Sequence, residues 1–96
     1  MTSLIPNLVA RLDEQLAAVA DDPSLPADVR DEVEGSLRGL RELLREIGTH
    51  AGNLPDDAIQ EIARAYLVGR RDRAGGLGGT TRRALWPRLE GAGFTF

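Results

Sequence analysis

Apolar residues form two matched stripes in the first half of the chain. Ile5, Val9, Leu12, Leu16 and Val19 step by 4, 3, 4 and 3 residues, and Val33, Leu37, Leu40, Leu44 and Ile47 repeat those steps. This period puts each set on one face of a helix and fits no strand. It predicts helices over about residues 4–20 and 26–47. Ser3 offers a cap to the first. Between them lies Asp21-Asp22-Pro23-Ser24-Leu25-Pro26. Pro23 disfavours helical geometry at Asp22. Ser24 is placed as an N-cap and Pro26 as a first-turn proline. Asp28, Asp31 and Glu32 suit the positive end of the helix dipole, and Gly48 reads as the stop. So short a connection makes the two helices antiparallel neighbours, a hairpin with a leucine-rich seam.

The pattern then weakens. Pro55 opens a third helix, with Asn53 as its cap, Asp56 and Asp57 in its first turn and Ile59, Ile62 and Tyr66 as its apolar edge; it runs to about Val68 or Gly69. Residues 69–79 hold five glycines and three arginines, a composition that predicts a mobile linker over 70–79. Thr80 or Thr81 caps a fourth helix through about Glu90. Pro87 removes a backbone donor from its middle and predicts a kink. Gly91-Ala-Gly-Phe-Thr-Phe96 reads as an aromatic tail. The fold class is therefore all-α: one domain, with a helical core over 1–69, the linker over 70–79 and a terminal helix and tail over 80–96.

Composition narrows the chemistry. The 96 residues include no cysteine, which excludes disulfides, thiolate zinc sites and a cysteine nucleophile. No apolar run approaches the ~20 residues of a bilayer span. The N-terminus lacks a basic segment followed by an apolar one, so we expect no secretory signal and a cytoplasmic location. Lysine is absent, and all twelve basic residues are arginine, the better residue for planar contacts. The net charge of −3 conceals a division: residues 1–63 carry −8 and residues 64–96 carry +5. Such asymmetry marks either an anion-binding end or a basic segment that docks on the acidic one, in cis or in trans; we favour docking.

Few residues suggest a site. His50, the single histidine, reads as a loop surface residue, and Asp21-Asp22 and Asp56-Asp57 as helix-end signatures, so no metal or cofactor is expected. Arg30, Arg38, Arg41 and Arg45 share one side of the second helix and read as a solvated face, with Glu34 placed for an i,i+4 pair with Arg38. Gly35 and Gly39, four apart in that helix, each cost about 1 kcal/mol against alanine. They leave a smooth flank for a partner helix or, as we favour, for a later helix of this chain. Gly75-Gly76-Leu77-Gly78-Gly79 with Thr80, Thr81, Arg82 and Arg83 offers an anion cradle, but it lacks the P-loop lysine and spacing, and a tether is the simpler reading.

Thr80-Thr81-Arg82-Arg83-Ala84-Leu85, followed by Arg88-Leu89-Glu90 and Gly93-Phe94, locally resembles the recognition helix and turn of winged helix-turn-helix regulators. The resemblance implies DNA contacts by Thr81, Arg82 and Arg83. It covers about fifteen residues, and Pro87 and the absence of a following wing depart from the pattern, so it does not assign the chain to that family.

All four aromatic residues, Tyr66, Trp86, Phe94 and Phe96, lie in the last third. Aromatics carry much of the buried area of cores and interfaces. We expect a non-enzymatic protein–protein interaction module, a small adaptor or a regulatory or assembly subunit that self-associates. Trp86, Leu89, Phe94 and Phe96 would be its anchors, Trp86 largely buried in core or interface, and Gly35 and Gly39 a second contact. The alternative is a nucleic-acid-binding regulator using Arg70, Arg71, Arg73, Arg82 and Arg83. A third reading is an enzyme that holds a phosphorylated ligand in the glycine-rich loop.

Overall fold

The computed structural model describes residues 4–50, 54–73 and 79–94. Four helices follow one another: α1 (Leu4–Ala20), α2 (Ala27–His50), α3 (Asp56–Arg73) and α4 (Gly79–Gly91). No strand occurs among the described residues. The chain is a small all-α bundle.

The α1–α2 hairpin is its spine. At 1.5 Å per residue, the 24 residues of α2 span about 36 Å, close to the 40 Å long axis of the molecule. Contacts run antiparallel: Ile5 lies beside Gly48, Asp13 meets Arg41, and Arg30 reaches back to Asp22. The seam between the helices is Ile5, Leu8, Leu12 and Val19 against Val29, Val33, Leu37, Leu40 and Leu44. Val9, Leu16 and Ile47, which the 4-3 stripes place at the centre, sit at its edge, and Leu8 takes the inner position.

The helix ends depart from the sequence reading in instructive ways. Ser24 does not cap α2; its hydroxyl and its N–H both donate to Asp22 Oδ1, at 2.6 and 2.9 Å. Pro26 and Pro55 each precede their helix, and their carbonyls accept its first bonds, from Arg30 and Ile59. Gly48 is not a stop. α2 continues through His50, and Gly48 serves instead as a notch: a Cβ there would meet Ile5 at 3.2 Å. His50 is thus the exposed end of a helix and not a loop residue.

α3 packs on α2, also antiparallel, and α4 lies against both α2 and α1. α3 runs on to Arg73, so residues 70–73 are helix and not linker; residues 74–78 lie outside the described segments. Its inner face is Ile59, Ala63 and Leu67, turned from the expected Ile59-Ile62-Tyr66 edge. α4 passes through Pro87 and ends in a C-cap that the sequence reading took for a tail. Gly93 has φ of 100°, its N–H donates to Glu90, and the Phe94 N–H donates to Leu89 at 3.0 Å. This is a Schellman motif, in which a left-handed glycine turns the chain and an apolar residue beyond it packs back on the helix. Here that residue is Phe94, and it is buried with Leu89.

Candidate functional site

The structure divides the predicted site residues into three groups. The first has become core. Leu89 and Phe94 are 1% and 2% exposed and pack with Leu85 and Ala92 inside the bundle. They hold α4 to its own chain and are not free as docking anchors. Thr81, one turn before Leu85, is buried on the same side of α4.

The second group closes the α2–α3 contact. Gly39 and Gly35 form two successive notches on α2, and two residues of α3, again four apart, fill them. The phenol of Tyr66 occupies the space of a Gly39 side chain, and an Arg70 terminal nitrogen lies 2.7 Å from where a Gly35 Cβ would be. Arg70 Nε donates to the buried Ser36 hydroxyl at 3.0 Å, and Arg70 Nη2 is 3.4 Å from Glu32 Oε1. That oxygen is shielded from solvent and has the ion contact without a hydrogen bond. The glycine pair is therefore the seat of the third helix, and Arg70 is a clasp, not a free cation.

Among the described residues, the basic third docks on the acidic part within one chain at two places. Arg70 meets Glu32. Arg88 Nη2 lies 3.3 Å from Asp22 Oδ2, and its other terminal nitrogen donates to Gln15 at 3.5 Å. The arginine side of α2 is likewise less solvated than its pattern implies. Arg30 donates to the Asp22 and Leu25 carbonyls at 2.8 and 3.1 Å, tying down the interhelix turn. Arg41 spans the hairpin to Asp13 at 2.7 Å. The Glu34–Arg38 pair forms as its spacing predicts, at 3.9 Å.

Asp22 collects several of these interactions. The hydrogen bond from the Ser24 hydroxyl and that from the Ser24 N–H hold its carboxyl below its ordinary value; burial pushes the other way, and the charge of Arg88 adds a downward pull weaker than that opposing push. A carboxyl depressed on folding stabilises the fold above its ordinary pKa, and that gain is lost as pH falls through the lower folded value. Asp22→Asn should therefore melt below the wild type at neutral pH, and the two melting temperatures should converge below about pH 4. A gap that is constant down to about pH 2 would contradict this assignment.

The third group lies at the surface, in whole or in part. On α4, Trp86 is half-buried, less than its sequence role implies, and the Arg82 guanidinium carbon stands 5.1 Å from its ring centroid. Arg82 and Arg83 are both exposed. The side chains of Thr80, Arg71 and Arg73, together with Phe96, Asn53, Ser3 and the glycine-rich loop through Gly78, lie outside the described residues.

One exposed surface was not anticipated. Val68 is 40% exposed, and Ala65, one turn earlier on α3, is exposed as well. The signal was present: continuing the Ile59-Ala63-Leu67 period puts Ala65 and Val68 on the outer side. Near the start of α3, Asp57, Gln60 and Arg64 line an open, shallow concavity. The carboxylates there serve their own helix, Asp57 accepting from the Ala58 N–H at 3.0 Å and Asp56 from Gln60 at 3.5 Å. No group of three or more metal-ligating side chains occurs among the described residues, and none of the helices is long and apolar enough, over those residues, to cross a membrane. The chain matches no protein-family model, no curated protein and no solved structure, so its functional reading rests on these residues.

Proposed function

We propose that the chain is a non-enzymatic protein–protein interaction module, a small adaptor or a regulatory or assembly subunit working in the cytoplasm. The observation that carries the reading is the outer face of α4. It presents a half-exposed indole with a guanidinium over its ring and a second exposed arginine beside it. Tryptophan and arginine dominate binding hot spots, and a guanidinium held on an indole surrenders little freedom on docking. The core residues Leu85 and Leu89 fix this face at a rigid position on the bundle.

The test is quantitative co-purification with the tagged chain. Trp86→Ala should retain the fold and weaken capture of a protein partner by roughly tenfold or more. A partner held equally well by the variant would refute the α4 face as the docking site. The second reading, nucleic-acid binding, draws on the same exposed Arg82 and Arg83. It predicts bound nucleic acid that salt strips and that Arg82→Glu with Arg83→Glu abolishes.

A further inference from the structure

The outer face of α4 carries Arg82, Arg83, Pro87 and Glu90, all exposed, and the half-buried Trp86. The rest of the chain leaves its two arginines without a counter-charge. Arg38, Arg41, Arg45, Arg64, Arg70 and Arg88 each stand 3.9 Å or less from a carboxylate of this chain. Arg30 gives its N–H groups to backbone carbonyls. Among the described residues, no carboxylate comes as close to Arg82 or Arg83. A chain with fifteen acids and twelve arginines thus keeps two cations open, side by side, on one helix face. No acid stands in the first turn of α4 either, so its own dipole adds to their charge instead of offsetting it.

The neighbourhood of the pair says what would cover it. The Arg82 guanidinium carbon is 5.1 Å from the Trp86 ring centroid. A carboxylate drawn to Arg82 therefore arrives beside the indole, where an apolar residue next to that carboxylate finds a surface. A nucleic-acid strand carries a phosphate at every step and gains its affinity by neutralising many of them. Here two cations stand at one end of the face and Glu90 at the other, on a chain of net charge −3. A strand laid along the face would meet Glu90. A peptide can place its acids at one end only, and its carboxylates match the planar, two-pronged guanidinium.

We infer that the occupant of the α4 face is an acidic segment of a partner protein, with carboxylates on Arg82 and Arg83 and an adjoining apolar side chain on Trp86. The inference rests on the reading of α4 as the docking face and names the chemistry of what docks there.

Trp86 is the one tryptophan of the chain, so its emission reports on this face directly. The probe is a synthetic peptide in which a run of glutamates adjoins a phenylalanine, titrated into the full chain at low salt. The emission should change along a saturable curve with a midpoint below about 1 mM. A peptide with glutamine in place of each glutamate should bind at least about tenfold more weakly. The acidic peptide should lose as much on the double variant Arg82→Gln, Arg83→Gln, whose exposed positions leave the fold in place. Because Arg82 stands over the ring, affinity is read from the midpoint and not from the amplitude. Arg82→Glu with Arg83→Glu should instead prefer a peptide with lysine in place of each glutamate, a reversal that loss of structure cannot produce. No saturable change with the acidic peptide, equal binding of the glutamine peptide, or no reversal overturns the inference. A single-stranded oligonucleotide of the same charge that binds more tightly than the acidic peptide overturns it in favour of nucleic acid. The two readings fail separately. A protein partner lost by Trp86→Ala but held by the double glutamine variant leaves α4 as the docking face and overturns the acidic occupant.

Discussion

Phe94→Ala is expected to remove about 3–5 kcal/mol of folding stability. A domain of this size is stable by about 5–15 kcal/mol, so the loss is a large part of the total. The reason is the C-cap of α4. Gly93, at a φ of 100°, turns the chain so that the Phe94 N–H bonds to Leu89 and the ring drops into the bundle, 2% exposed. Truncating the ring leaves a cavity lined by core side chains, and it removes the apolar contact that completes the Schellman motif. Trp86→Ala removes a larger side chain from the same helix but should cost less, because the indole is half in solvent. Urea unfolding of both variants reads the difference as midpoint shifts at constant slope. If Phe94→Ala shifts the midpoint less than Trp86→Ala does, Phe94 is not the core residue that its burial implies.

The same pair of residues shows how far the sequence could be read. Periodicity was enough for the hairpin, because two stripes of five apolar residues leave few alternatives for helix number and direction. It was less reliable for rotation: with Leu8 and Val9 adjacent and both apolar, spacing alone cannot say which faces inward. In α3 the apolar count favoured Ile62 and Tyr66, but the glycine notches draw Tyr66 toward α2 and so turn Ile59, Ala63 and Leu67 into the core. That coupling between helices is invisible to a single-helix pattern. Glycine misled at Gly48, where its role is to admit Ile5 and its composition signal resembles a break. At Gly39 and Gly35 the small-residue flank does receive a later helix of the same chain, as favoured, although spacing alone could not say which side chains fill it. Phe94 was legible as an anchor by type and not by destination, because a left-handed turn at Gly93 reverses where the chain goes.

Gly39→Ala puts the glycine argument to a test of sign. In an exposed helix interior this change gains about 1 kcal/mol. Gly69, in α3, has nothing within 4 Å of its Cβ position, and Gly69→Ala should show that gain, about 0.5–1 kcal/mol. At Gly39 the added methyl falls inside the Tyr66 phenol, whose Cζ is only 2.9 Å from it and whose hydroxyl is nearer still. The ring cannot stay, and overpacking of this kind costs about 1–3 kcal/mol, enough to outweigh the helix gain. Gly35→Ala meets only the end of the Arg70 side chain, which can swing away, so its effect should be smaller than that at Gly39. In a Tyr66→Ala background the obstacle is gone, and Gly39→Ala should become stabilising, a reversal that a double-mutant cycle reads directly. If Gly39→Ala stabilises the wild type as much as Gly69→Ala does, Tyr66 does not sit in the notch and α3 is seated elsewhere on α2.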